Sequence, residues 1–140
     1  MSNKNRQIKD EYDFCVPMNT RWRDLDSFQH VNNAVFATYI ENARASLFDR
    51  WGIRYDGRGE SLILASLKID YKKEMLHPSS FTVCQRISRI GTTSFDIEAA
   101  IFNDSFDDPI AISTATCVCY DFTNKKPVKV FNEILEDFNF

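Results

Sequence analysis

Apolar and polar positions alternate along most of this chain, and one stretch breaks the alternation. From Tyr12 the run DFCVPMNTRWR places Phe14, Val16 and Met18 two apart, the period of a strand with one buried face. Pro17 within it predicts an edge strand or a bulge, because proline cannot donate to a ladder. Over 24–33 the pattern stops and polar residues crowd together. Over 34–51 it resumes with a different period, as Phe36, Ile40, Ala43, Leu47 and Trp51 recur at helical spacing. Val35, Tyr39 and Phe48 widen that stripe, which predicts a helix covered on most sides. Asn32 or Asn33 can cap its start, and Gly52 suits the left-handed position past its end. Glu41 and Arg44, one turn apart, can pair.

Beyond a glycine-containing loop at 53–60 the period returns to two. A strand at 61–71 alternates in part, through Ile63, Ala65, Leu67, Ile69 and Tyr71. A polar connection at 72–80 carries His77-Pro78, and runs at 81–90 and 93–103 flank Gly91 as a hairpin. A turn at 104–108, a long strand at 110–122 and a polar turn at 123–126 follow. Val130, Phe131, Ile134, Leu135 and Phe138 then repeat as one face of a short terminal helix. Strands that follow one another closely pair antiparallel. The order therefore predicts an α+β fold: one antiparallel sheet wrapped around a long central helix, in a single domain over 1–140 with 1–11 loose. Such a sheet leaves an edge strand open, and edge pairing between copies is the natural remedy.

Composition narrows the function. With 140 residues, 44% hydrophobic, 26% charged and a net charge of -3, nothing attracts the chain generally to nucleic acid or acidic membranes. No apolar run approaches bilayer length, and MSNKNRQIKDEY lacks an apolar leader core, so a cytoplasmic location is expected. In that compartment Cys15, Cys84, Cys117 and Cys119 default to free thiols. Cys117 and Cys119 lie two apart and should share a buried strand face. A metal site would want CxxC-type spacing with histidines nearby, so no metal and no cofactor are expected. No Gly-x-Ser-x-Gly elbow and no dinucleotide or P-loop glycine pattern is present.

The polar stretch holds what chemistry there is: Asp24, Asp26, His30, Asn32 and Asn33, just before a helix start. Free N–H groups and the positive dipole end of that helix can hold an oxyanion, and a carboxylate looped back over it can serve as base or nucleophile. The plainer reading is also open. Asp26 can simply fix the turn or cap the helix, Asp24 reads as structural, His30 as a turn histidine, and the two asparagines as caps.

The run Asp24-Leu25-Asp26-Ser27-Phe28-Gln29-His30-Val31-Asn32-Asn33-Ala34, with Glu41 and Arg44 downstream, resembles the hotdog-fold acyl-CoA thioesterases of the 4-hydroxybenzoyl-CoA thioesterase family. Its Gln-His-Val-Asn-Asn-Ala portion is similar to the bacterial long-chain acyl-CoA thioesterase III branch. The resemblance implies a hotdog fold, hydrolysis of a fatty or aromatic acyl-CoA, and a homodimer or homotetramer with the site at the subunit interface. It makes Asp26 the catalytic carboxylate and the backbone N–H of Asn33 the oxyanion donor, with His30 beside them. Phe28, Val35, Phe36 and Tyr39 would then form the acyl pocket, with Glu41 lining the site. Lys72 and Arg89, within a basic set that includes Lys68, Lys73 and Arg86, would meet the phosphates of coenzyme A. Plant acyl-carrier-protein thioesterases carry a similar run, but Phe28 stands where they have asparagine and Met75 falls about where they have cysteine. Two alternatives remain: a non-catalytic acyl-CoA-binding domain and an acyl-carrier-protein thioesterase. The intact acidic turn favours the enzyme.

Overall fold

The computed structural model describes residues 9–105 and 107–138. Its elements are β1 (Phe14–Asn19), a 3-10 turn (Trp22–Asp24), α1 (Asn33–Arg50), β2 (Glu60–Tyr71), β3 (Ser80–Ile90), β4 (Ser94–Asn103), β5 (Pro109–Asp121), β6 (Lys126–Pro127) and α2 (Asn132–Phe138). The sheet is antiparallel, in the order β1-β3-β4-β5-β2, with β6 attached to β5. Of the stretch expected to be loose, 1–8 lie outside the described residues. Lys9 to Glu11 close a helical turn in which Tyr12 N donates to Lys9 O at 3.2 Å.

Strand alternation sets which face meets the helix. On β4, Phe95, Ile97, Ala99 and Ile101 are buried, and on β5 Ala111, Ser113, Ala115, Cys117 and Cys119 are. Register joins these across the sheet, with Phe95 opposite Cys117 and Ala99 opposite Ser113. One apolar cluster gathers Phe36, Tyr39, Ile40 and Ala43 of α1 with Met75, Phe81 and Val83. A second gathers Leu47 and Trp51 with Ile87, Phe95, Val130 and Ile134, which seats α2. Asp137 locks that seat by accepting from Arg50 Nε at 2.8 Å and Trp51 Nε1 at 2.6 Å. Gly52 follows α1 at φ +69, a left-handed conformation without penalty for glycine. At the β3–β4 turn a Cβ on Gly91 would lie 3.1 Å from Ser94 O, a tight approach to main chain, and would displace the flexible end of Arg89, whose Nη1 lies 2.7 Å away.

Three expectations are corrected. Helix α1 is not enclosed on most sides: Ala34, Thr38, Glu41, Asn42, Ser46 and Asp49 face outward, because small or polar residues occupy that side. Arg44 does not pair with Glu41. It shares the buried face with Ile40 and Leu47, is 4% exposed and leaves Nη1 without a partner, while Glu41 is exposed. The four cysteines are not all free. Cys15 and Cys84 are opposite each other in the β1–β3 register, 4.1 Å apart at Cα, and form a disulfide. Cys117 and Cys119 are buried free thiols on one face, and burial pushes the pKa of each up to about 11.

Candidate active site

The loop before α1 is fixed by two aspartates in different ways. Asp24 is turned inward, its side chain 2% exposed. It accepts from Arg21 N at 3.0 Å, Arg21 Nη2 at 2.9 Å and Tyr39 Oη at 2.5 Å. Burial alone would push its carboxyl up, but the bonds from Arg21 and Tyr39 outweigh that and hold it below the ordinary carboxylate range. Burial and the same Asp24 bond drive the Tyr39 phenol the other way, well above its ordinary value. The Asp24 carbonyl also accepts from Asn32 N at 2.9 Å, so this buried residue ties the loop to the helix entrance.

Asp26 splits its oxygens between two tasks. Oδ1 accepts from Phe28 N at 2.9 Å and His30 N at 3.3 Å, closing an Asx-type turn. Main-chain bonds seal the same turn, with Asp26 N on His30 O at 2.8 Å and Gln29 N on Asp26 O at 3.1 Å. Gln29 is thereby held at φ +67, a conformation that L side chains seldom adopt and that tends to mark functional loops. No hydrogen bond from the described residues reaches Asp26 Oδ2. The plain and the chemical reading of this aspartate thus each have an oxygen.

Asn32 caps α1, its side chain accepting from Ala34 N at 2.9 Å and its carbonyl from Val35 N at 2.9 Å. The first N–H groups of a helix have no partner inside it, and that of Asn33 finds none elsewhere among the described residues. Asp26, His30, Asn33, Phe36 and Lys72 line one open cleft of about 320 Å³, together with Val31, Tyr71, Lys73 and Glu74. At its rim His30 Nε2 lies 3.2 Å from Glu74 Oε2, an arrangement that orients the imidazole. Tyr71 closes the side: its hydroxyl donates to Asn33 O at 3.1 Å and its ring meets Phe36 edge-on at 5.7 Å.

Other residues read from sequence stand elsewhere in the described chain. Phe28 is 78% exposed on the outside of the loop. Val35 is half-buried against the first apolar cluster, and Tyr39 lies within it with its hydroxyl committed to Asp24. Glu41 is on the outer side of α1. Arg89 sits at the β3–β4 turn, bonded to Asp96 at 2.9 Å and Ser94 Oγ at 3.0 Å. The basic set is dispersed: Lys68 lies 3.8 Å from Asp70 and Arg86 lies 3.3 Å from Glu98, so only Lys72 and Lys73 of it border the cleft. Sequence reasoning gives no role to Tyr71, Glu74 or Gln29. Tyr71 is visible there only as the end of an alternating strand, Gln29 only as a member of the Gln-His-Val-Asn-Asn-Ala run, and nothing in the sequence marks Glu74. Among the described residues, no group of His, Cys, Asp or Glu is placed to hold a metal ion.

A family model described as the thioesterase-like superfamily matches residues 20–138. Over 127 residues the chain is 29% identical to the acyl-acyl carrier protein thioesterase ATL3 of Arabidopsis thaliana and 30% identical to its ATL2. These alignments take in 88% of this chain and span 66% of the length of each relative. Among solved structures, a Thermus thermophilus thioesterase complexed with coenzyme A and Zn superposes with TM-score 0.77 at 27% identity, covering 92% of this chain and 99% of that one. The 1,4-dihydroxy-2-naphthoyl-CoA thioesterase of Synechocystis shares the fold at TM-score 0.79 and 15% identity, covering 90% and 95%. No described helix is long and apolar enough to cross a membrane. The chain belongs to the thioesterase-like superfamily and has its hotdog fold.

Proposed function

We propose that this protein hydrolyses acyl-CoA thioesters, fatty or aromatic in the acyl part, with Asp26 as the catalytic carboxylate. The observation that carries this is the division of labour at Asp26: Oδ1 holds the turn while Oδ2 is left unengaged by the described residues, in the cleft where α1 begins. The thioester oxygen is held by the Asn33 N–H at the positive end of the helix. Asp26 either takes a proton from water as it attacks the carbonyl carbon or attacks that carbon itself. In the first route the C–S bond breaks, the sulfur leaves as thiolate and takes up the proton from Asp26, and the free acid forms; in the second the thiolate leaves an acyl–Asp26 anhydride, which a water then hydrolyses to release the free acid and restore the carboxylate. The His30 main chain positions Asp26 through both its N–H and its carbonyl, and its side chain stands at the rim against Glu74. Phe36 and Tyr71 give the acyl group an apolar wall.

The sheet edges support a homodimer. β1 carries Pro17 at one edge, whereas β2 at the other exposes Leu64, Ala65 and Ser66 around a register shift. An open apolar edge strand invites pairing with its own copy. A second reading, with an acyl carrier protein as the thiol carrier, is favoured by the identity to the two Arabidopsis proteins.

Asp26→Asn tests the mechanism. Asparagine keeps the Oδ1 acceptor and replaces the basic Oδ2 with an amide, so the turn survives and the base does not. Turnover of a panel of short, long and aromatic acyl-CoA substrates, followed by free-thiol release, should fall by ~10²-fold or more. Near-normal turnover in a variant that melts with the native protein would defeat the assignment.

A further inference from the structure

The two cysteines of the β1–β3 disulfide stand in different surroundings. Phe14, Val16 and Met18 turn inward to the two main clusters, so Cys15 points from the opposite face of β1, where it is exposed. Cys84 is fully buried on that outer face, in a small cluster with Tyr12, Ala100 and Phe102. β1 ends the sheet, so no further strand of the chain covers its free side, and the dimer proposed above pairs through β2 instead. Cys117 and Cys119 give the contrast. Both are buried, with thiols pushed up to about 11, so neither presents a reactive thiolate near neutrality. The bond between Cys15 and Cys84 spans 69 residues, a stretch that contains the Asp26 turn, all of α1 and all of β2. β1 is otherwise weakly held, being six residues long at an edge, with Pro17 donating nothing to the ladder. Its Val16 and Met18 pack against the cluster that holds Phe36 and Tyr39, and the chain runs from it directly into the Asp24 turn.

We propose that Cys15–Cys84 is a reversible thiol–disulfide exchange site, opened by a dithiol that attacks at Cys15, and that its state sets how firmly the segment leading to Asp26 is held. Exposed disulfides are the ones that exchange, whereas buried ones are structural. A thiolate of the dithiol attacks Cys15 Sγ and forms an intermolecular S–S bond. The Cys15–Cys84 bond breaks, and Cys84 Sγ leaves with the electron pair and takes up a proton. The second thiolate of the dithiol then attacks its partner sulfur in the mixed disulfide, and Cys15 is released and protonated. The protein has gained two electrons and two protons, and the dithiol has become a disulfide. In the other direction the Cys15 thiolate attacks a small disulfide, and Cys84 displaces the group so attached. A small dithiol and a dithiol protein share this chemistry, and comparing the rates of opening by dithiothreitol and by reduced thioredoxin identifies the source.

Thiols titrated in denaturant should number two after treatment with glutathione disulfide and four after dithiothreitol. Reduction should lower Tm by about 10 °C, the scale for releasing a closed loop of this length, and re-oxidation should restore it. Hydrogen exchange over 14–19 should quicken on reduction while β4 stays protected. These readouts need no hydrolysis. Between the two melting points the oxidised protein should cleave acyl-CoA and the reduced one should not, an arm that alone rests on the thioesterase reading. To locate the attacked sulfur, native protein given a brief dithiothreitol pulse and then iodoacetamide should carry the label on Cys15 ahead of Cys84. Cys15→Ala should take up no glutathione from glutathione disulfide while folded, because its remaining thiols are buried. Four free thiols that persist in glutathione disulfide, equal melting of the two forms, or label that reaches Cys84 first would each overturn the proposal and leave the Asp26 assignment untouched.

Discussion

Replacing Tyr39 by phenylalanine removes one oxygen from the interior and leaves the ring where it packs, 4.6 Å from Phe81 and 6.1 Å from Phe36. The lost bond is 2.5 Å long and runs to a carboxylate, and bonds to charged groups contribute roughly 1.5–3 kcal/mol. Asp24 keeps its bonds to Arg21, so its charge is not stranded. Arg21 itself is about half-exposed, and solvent screens what it adds. The lower end, about 1.5 kcal/mol, is therefore expected, a fall in Tm of about 5 °C for a domain of this size. Urea unfolding should show a lower midpoint with an unchanged slope. Asp24→Asn carries the same reasoning into pH. Its folded carboxyl lies below the unfolded value, so its stabilisation is present above that value and disappears as pH falls from about 4 through the folded value. The native protein and the Asp24→Asn variant should differ most near neutrality and converge in acid. A Tyr39→Phe protein as stable as the native one, or a stability gap for Asp24→Asn that persists unchanged into acid, would refute the claim that this network holds the loop.

Leu64→Lys should shift the protein toward monomer in light scattering and lower activity with it, because a charge on an open β2 edge opposes strand pairing. Phe36→Ala should cost about 3–5 kcal/mol by denaturation, as for other buried phenylalanines, and should also change the ranking of acyl chain lengths. Stability loss with an unchanged ranking would remove Phe36 from the pocket. Asp137→Ala strips Arg50 and Trp51 of their shared acceptor and should destabilise the α2 seat by roughly 1–3 kcal/mol, read as earlier hydrogen exchange in α2 than in β4.

Periodicity in the sequence locates every long element, because each face choice repeats several times. The strand at Phe14–Asn19 alternates over its whole length and that at Ser94–Asn103 over its first half, and the helical spacing from Phe36 to Leu47 survives in the buried face of α1. Facts that depend on a single meeting between distant residues are not legible. The Cys15–Cys84 bond spans 69 residues and rests on β1 lying beside β3, a pairing that chain order does not suggest. Arg44 reads as a surface partner for Glu41 because spacing alone cannot say which of two neighbouring positions faces the sheet. β6 is only Lys126–Pro127, too short to carry a period.

The site divides along the same line. Asp26, His30 and Asn33 are legible because they are close in the chain and the loop brings them together locally. Tyr71 and Glu74 reach the cleft only because β2 ends beside the start of α1. This explains why a local motif can indicate the reaction and yet say little about the substrate. In the mechanism proposed above, the reacting atoms need one carboxylate oxygen and one helix N–H, and Asp26 and Asn33, seven residues apart, would supply both. The far wall of the cleft comes from Tyr71, Lys72 and Lys73, distant in sequence from the loop. If the proposed site is right, substitution at Tyr71 should consequently alter which thioester is preferred, whereas substitution at Asp26 should slow all of them alike.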